Sequence, residues 1–359
     1  MTPRPAIHQL TPRLSTGDAV SNHVVWIRDC LRRLGYSSEI YTESTVPALE
    51  SEVRLLGGNA IPGDCALVYH HCIGTPLTDL VAAHKGPKTL IYHNITPPEF
   101  FAPYNPAFAE VLRDGRDGLS ALAGDYPFAY GDSLYNVEEL RAAGFEDCRV
   151  MPLPVSPSGV APDARMLAAL DDGLVNLLFV GRLAPNKAHQ DLVESFYHYL
   201  CMDDGARLIL AGVAGLGDRY VDLVRERIDR LGLKSRAIIT GHVSQAELNA
   251  LFKSASLYWS MSEHEGFGVP LIEAMWWDVP VLAYKSAAVA ETMGQGGILF
   301  DDKSDLRRVA ALAKRMVCDP ALRELVLAAQ RQRRQDFLPD RIQPHITALA
   351  ESLIATIKQ

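Results

Sequence analysis

Short apolar runs alternate with amphipathic stretches along nearly the whole chain. Residues 6–10 read as a first strand, and residues 21–34 as a helix whose Val24, Ile27, Leu31 and Leu34 recur three and four positions apart before Gly35 stops it. A strand around 39–42 follows. Apolar runs at 65–69 and 89–92 then end in His70-His71 and His93-Asn94. A helix over 106–123, a strand over 128–130 and a helix over 136–143 complete the first half. Between them, Pro97 to Tyr104 mixes prolines with aromatics and predicts irregular backbone, either the lip of a binding site or a rigid loop packed by its own rings.

The pattern then breaks and restarts. Met151-Pro-Leu-Pro-Val-Ser-Pro157 carries three prolines in seven residues, and a polar stretch runs on to Gly173, which places an interdomain linker here. Beyond it come strands at 174–180, 207–211 and 237–240, with helices over 189–200, up to Leu231 and over 245–254. A buried strand closes at Tyr258-Trp259, Pro270 opens a helix, and strands at 279–283 and 296–300 flank a short helix near 288–291. Leu306, Val309, Leu312 and Met316 stripe one tail helix, and a last helix covers 342–357. This alternation predicts a doubly wound α/β protein with domains at 1–155 and 156–338.

Composition narrows the class. With 359 residues and 48% hydrophobic residues the chain can bury a large core. No apolar run reaches the roughly 18 residues that span a bilayer, and no signal-peptide core follows Met1, so a cytoplasmic location is expected. A net charge of −8, with both halves mildly acidic, argues against a nucleic-acid partner. The Arg331-Gln-Arg-Arg334 cluster reads as a solvated helix end, with a lipid or partner contact as the other option, and peripheral contact with the cytoplasmic membrane face is open. Six scattered cysteines in apolar contexts, without a C-x-x-C pair, fit reduced core thiols. No metal framework is visible and no cofactor is expected.

The chemistry concentrates in Met261-Ser-Glu-His-Glu-Gly-Phe-Gly-Val-Pro-Leu-Ile-Glu-Ala-Met275. Strand, glycine loop and helix start would present unpaired N–H groups to a phosphate or sugar oxygen. Glu265 flanks that position, and Glu273 lies one turn into the helix, where it can accept from a pair of ligand hydroxyls or simply complement the helix dipole. Arg182 and Lys187 follow a strand and could neutralise a diphosphate, although such a pair also suits ordinary surface. His93, past a strand end, is a site candidate or a histidine bonded to nearby backbone. The glycine loop 212–217 does not have the dinucleotide spacing, which disfavours a nicotinamide dehydrogenase.

Together these motifs resemble the retaining nucleotide-sugar glycosyltransferases of family 4. Gly181-Arg182 to Lys187 matches the G-R-x-x-x-x-K run, and Glu265 to Glu273 the E-x7-E motif; Gly241-His-Val243 and Pro280-Val before Glu291 keep the family order. The first half matches through Gly17, His23 and His93. It departs in having the single Gly17 where paired glycines are common, and Asp278 stands where glycine is common.

The resemblance implies a GT-B fold, two Rossmann-like domains facing each other across a cleft, with a C-terminal segment 339–359 returning to the N-terminal domain. It implies that Arg182 and Lys187 bind the donor diphosphate, that Glu273 holds the ribose and that Glu265 faces the donor sugar. Backbone from Gly266 through Phe267 and Gly268 to Val269 would contact sugar and phosphate. His93 would lie beside the reacting sugar, Gly17 near the donor phosphate, and His242-Val243 along the base. The implied activity is metal-independent, retaining transfer of a hexose-type sugar to a glycan or lipid-linked acceptor, in surface polysaccharide synthesis. A nucleotide-sugar 2-epimerase of the same architecture and a non-catalytic scaffold subunit are the alternatives.

Overall fold

A computed structural model describes residues 5–214 and 218–357. Residues 215–217 of the glycine loop lie outside this range, as do 358–359 of the C-terminal segment. The chain divides into two compact units. The first holds residues up to Pro98, Glu110–Pro154 and everything from Pro339; the second holds Glu99–Ala109 and Val155–Leu338.

The first unit is built on a seven-stranded parallel sheet: β1 (Ile7–Leu14), β2 (Ile40–Thr45), β3 (Arg54–Leu55), β4 (Ala66–His71), β5 (Lys88–Tyr92), β6 (Ala129–Gly131) and β7 (Cys148–Val150), in the order β3-β2-β1-β4-β5-β6-β7. Strand order reverses between β1 and β4, the position where doubly wound sheets open a crevice beyond their strand ends. Strand β4 is buried along its whole length, as a strand covered on both faces must be. Its cover includes the helix Ala19–Arg33, capped by Asp18 accepting from the Ser21 amide at 2.9 Å. The C-terminal helix Pro339–Ile357 packs here too: Ile346, Leu349, Ala350 and Leu353 are buried with Ile27, Leu31, Val68 and Ile91 in one core.

The second unit repeats the plan with β8 (Val175–Val180), β9 (Ala206–Ala211), β10 (Ala237–Gly241), β11 (Leu257–Ser260), β12 (Val281–Tyr284) and β13 (Ile298–Phe300), ordered β10-β9-β8-β11-β12-β13 and parallel throughout. Here the reversal falls between β8 and β11. The backbones just past β8 and β9 cross so closely that a Cβ added at Gly212 would sit 2.0 Å from the Gly181 carbonyl oxygen. Glycine is needed at that crossing for space.

Several expectations are corrected. The helix Ala164–Leu170 stands inside the stretch read as linker, and the helix Leu77–Ala83 and the short strands β3 and β7 lacked enough periodicity to be seen. Glu99–Ala109 groups with the second unit, where Phe100 faces His264 at 6.2 Å and Tyr104 meets Tyr220 edge-on at 5.2 Å. The arginine cluster is not a solvated helix end. Arg334 donates to the Met275 carbonyl at 2.6 Å and lies over Trp276, Arg333 donates to the carbonyls of Glu291 and Thr292, and Arg331 and Arg334 both pair with Asp278. Asp278 takes φ +52°, which accounts for the glycine common there; its carboxylate gives those arginines a partner that glycine would not. Of the cysteines, Cys201 and Cys318 are exposed rather than core thiols.

Candidate active site

The reversal between β8 and β11 brings two loops of the second unit together. After β8 the chain passes Gly181 and Arg182, then makes a tight turn over Pro185–Lys187, which ends with Ala188 in the left-handed region at φ +49°. After β11 it runs through Glu263 to Gly268 into the helix Val269–Trp276. Asn186 stitches the loops: its carbonyl accepts from the Glu263 amide at 2.8 Å, and its side-chain amide donates to the His264 carbonyl at 3.0 Å. This register sets Lys187 Nζ 2.6 Å from Glu265 Oε2, both mostly covered. Lys303, just past β13, adds a second clamp, donating to Asp191, to the Met261 carbonyl and to Glu263 at 2.8–3.0 Å.

Gly268 adopts φ +93° as the residue before the helix, and no side chain caps that helix start. The loop below is fixed by Thr292 donating to the Phe267 carbonyl at 2.6 Å and by the Ala288 amide donating to the Glu265 carbonyl at 3.2 Å. Phe267 is buried edge-on to Phe337, while Gly266 and Val269 keep partial exposure. The carboxylate of Glu273, one turn on, has no hydrogen bond or ion pair among the described residues, and the residue remains partly exposed. Burial pushes its carboxyl up to about 7. Next to it the buried Tyr258 hydroxyl is already committed, donating to the Val180 carbonyl at 3.2 Å. An acceptor-only group held in such surroundings without a donor suits a ligand that brings hydroxyls.

Arg182 is exposed, and among the described residues its guanidinium has no hydrogen bond or ion pair. Its backbone nitrogen lies close to Gly212, so it belongs to the same strand-end edge. Beyond β10, Gly241 turns at φ +70°, His242 is exposed and Val243 half-buried. The second unit therefore gathers Arg182, Lys187, Glu265 and the 266–273 stretch at the carboxyl ends of its strands, with Lys187 and Glu265 in direct contact.

In the first unit, Gly17 is exposed at φ +70° after β1 and lines a pocket of about 430 Å³ with Thr16, Asn22, Trp26, Asp29 and Leu49. His93 is placed differently from the sequence expectation. Its side chain is fully covered, with Nδ1 2.9 Å from Asp132 Oδ2 and Nε2 2.8 Å from His70 Nδ1, so neither nitrogen points at open space. Its bonds run to side chains, not to nearby backbone. His23 packs edge-on against it at 5.6 Å. His23, His93 and Asp132 offer ligand atoms within 4.8 Å of one another, the one such trio among the described residues. Both ring nitrogens of His93 already face protein partners within hydrogen-bond distance.

Asp132, Asn186, His70 as a partner of His93, and Lys303 escaped sequence reasoning. Each acts through a residue 23 to 78 positions away, and no local pattern announces that. Only the position of Asp132 just past β6 was a signal, of the same kind that singled out His93.

Residues 168–333 match the family model described as glycosyl transferases group 1. The O-antigen chain mannosyltransferase B of Escherichia coli is 28% identical over 178 residues, covering 49% of this chain and 45% of that protein. A GDP-mannose:cellobiosyl-diphosphopolyprenol alpha-mannosyltransferase of Xanthomonas oryzae pv. oryzae (strain PXO99A) is 33% identical over 146 residues, 38% of this chain and 37% of that one. The chain thus spans less than half the length of either curated relative. Among solved structures, sucrose-phosphate synthase from Thermosynechococcus elongatus superposes with a TM-score of 0.77 at 18% identity, over 98% of this chain and 100% of that one. HepE of Anabaena, solved with UDP and glucose, gives 0.77 at 17% identity, over 97% and 100%. Residues 168–333 therefore form a glycosyl transferases group 1 domain, family 4-like, within a chain that has the GT-B fold of two Rossmann-like units.

Proposed function

We propose that the protein is a glycosyltransferase that takes a hexose-type sugar from a nucleoside-diphosphate sugar and transfers it, with retention and without a metal, to a glycan or lipid-linked acceptor. The observation that carries this reading is the set assembled at the β8/β11 reversal: the Lys187–Glu265 pair, the open Arg182 and the partnerless Glu273. Departure of a nucleoside diphosphate puts negative charge on the phosphate and positive charge on the sugar ring. Cations at the phosphate and a carboxylate at the sugar stabilise both as they develop. Arg182 and Lys187 take the diphosphate, the uncapped helix start at Val269 adds its amides, Glu273 takes the ribose hydroxyls and Glu265 faces the sugar. Gly17 and His242-Val243 are proposed to approach the phosphate and the base.

The acceptor is proposed to be a surface-polysaccharide intermediate at the cytoplasmic membrane face. The O-antigen and diphosphopolyprenol acceptors named for the relatives support that reading, and the mannose in both names makes GDP-mannose the first donor to try. UDP-sugars stand beside it because HepE was solved with UDP.

The test is a thermal-shift panel of GDP, UDP, dTDP and their sugar conjugates, with and without EDTA. A ligand that binds only the folded protein raises Tm by mass action, by an amount equivalent to about 2.7 kcal/mol at a hundredfold excess over Kd. One nucleotide is expected to stabilise the protein equally with EDTA, and Arg182→Ala is expected to abolish the shift while leaving the unliganded Tm unchanged, since the Arg182 guanidinium makes no hydrogen bond or ion pair among the described residues. No shift with any nucleotide would remove the donor site.

A further inference from the structure

The buried cluster of the first unit contains a proton count that its hydrogen bonds determine. Gln9 Nε2 donates to the Val24 carbonyl at 3.1 Å. A carbonyl only accepts, so the Gln9 amide can face it only with its nitrogen, which leaves Oε1 toward His70 Nε2 at 2.9 Å. That contact needs its hydrogen on His70 Nε2. The next contact joins His70 Nδ1 to His93 Nε2 at 2.8 Å, and the last joins His93 Nδ1 to Asp132 Oδ2 at 2.9 Å. The two imidazole planes lie within 8° and their centroids 5.1 Å apart, far more than the nitrogen separation, so the rings meet edge to edge with the nitrogens aimed at each other.

Each of these three contacts requires one hydrogen, three in all. Two neutral imidazoles supply two. The third must be an additional proton, which balances the charge of Asp132; without it, two lone pairs would face each other at 2.8 or 2.9 Å in the interior. Its place is decided by the neighbours. On His70 it would make a cation beside a neutral amide and a second imidazole, and burial holds His70 well below the usual histidine range. Between His93 and Asp132 it rests against a carboxylate that burial already pushes upward. The remaining neighbours make no hydrogen bond to the chain: His23 Nδ1 stops 3.9 Å from Asp132 Oδ1, and burial together with His93 holds His23 well below the usual range, while His71 bonds the Gly115 carbonyl instead.

We propose that Gln9, His70, His93 and Asp132 form a proton-loaded relay in which His93 has hydrogens on both ring nitrogens, the Nδ1 hydrogen shared with Asp132, and so no lone pair with which to accept a proton. Gln9, His70 and Asp132 are positioning residues that fix this state. On the reading that His93 serves sugar transfer, it does so through its charge and not as a base, since both of its ring hydrogens are held by His70 and Asp132.

The experiment is ring 1H–15N correlation on the full-length protein labelled in its 11 histidines, assigned with single His→Gln variants, at pH 7.5. His70 is expected to be neutral with its hydrogen on Nε2, and His93 to be protonated at both nitrogens. In Asp132→Asn, whose side-chain amide can donate to Nδ1, His93 is expected to lose the Nδ1 hydrogen while His70 is unchanged. A wild-type His93 that is neutral with its hydrogen on Nδ1 alone overturns the relay, whatever the variant does. Turnover of the donor sugar separates the second question. If the NMR signature is as expected and folded Asp132→Asn transfers sugar at the wild-type rate, the relay stands and the part of His93 in transfer falls.

Discussion

At the scale of single residues, Glu273 is the group whose behaviour follows most directly from its surroundings. Its carboxyl is raised to about 7 by burial with no compensating donor. A raised acid binds more protons folded than unfolded, so the fold loses stability as pH climbs from the ordinary carboxylate range through 7, by on the order of 3 kcal/mol in total. Glu273→Gln is expected to flatten that decline and raise Tm at pH 8, as a melting series from pH 5 to 8 would show. The same variant is expected to weaken nucleoside-diphosphate binding at least tenfold, because the ionised form accepts ribose hydroxyls. For that reason wild-type affinity, measured by calorimetry, should improve between pH 6 and 8; affinity that falls over that range would assign the carboxylate elsewhere. The placement of Lys187 and Glu265 was legible in the sequence because each lies five to seven residues past the strand end that positions it, and that of Glu273 because it lies one turn into the helix that Pro270 opens. His93 was legible as a strand-end residue, but the direction of its ring depends on His70 and Asp132, 23 and 39 positions away.

At the scale of elements, the two ends of the helix Val269–Trp276 differ in their chemistry. Its start is left open by Gly268, and its end is closed by Arg334 on the Met275 carbonyl and by the Asp278 pairs with Arg331 and Arg334. Cations over the last carbonyls also complement the helix dipole. Asp278→Gly relieves the left-handed backbone but loses the pairs, whereas Asp278→Ala loses the pairs and keeps the strain. The alanine variant is therefore expected to be less stable than the glycine variant by about 1 kcal/mol in urea unfolding. Equal stability would mean that the backbone at 278 is not strained. At the β8/β9 loop crossing, Gly212→Ala cannot be accommodated without moving the Gly181 carbonyl, and it is expected to lower both stability and nucleotide binding. Long amphipathic helices and fully apolar strands were legible because their period is their own property. The helix Leu77–Ala83 and the strands β3 and β7 were not, since elements this short owe their form to neighbours rather than to pattern.

At the scale of the whole molecule, the same strand order, with its reversal beside the first strand, serves twice. The break at Met151–Pro157 made the two halves visible in the sequence. The grouping of Glu99–Ala109 with the second unit was hidden, because aromatic contacts to His264 and Tyr220 leave no periodic trace. The C-terminal helix was legible from its own apolar stripe, its return to the first unit was expected on resemblance alone, and its role can be weighed. Leu349→Ala opens a cavity where that helix meets the core of the first unit, and it is expected to cost about 2–4 kcal/mol in denaturant unfolding. Nucleotide binding, proposed for the second unit, should be retained at low denaturant. A chain synthesised from its N-terminus exposes β1 to β7 long before residues 339–357 leave the ribosome. The second unit has all its strands by then, so the half begun first is completed last, and a chain cut short before Pro339 would pair a finished second unit with a sheet left partly uncovered where that helix belongs, a natural client for chaperones and proteases.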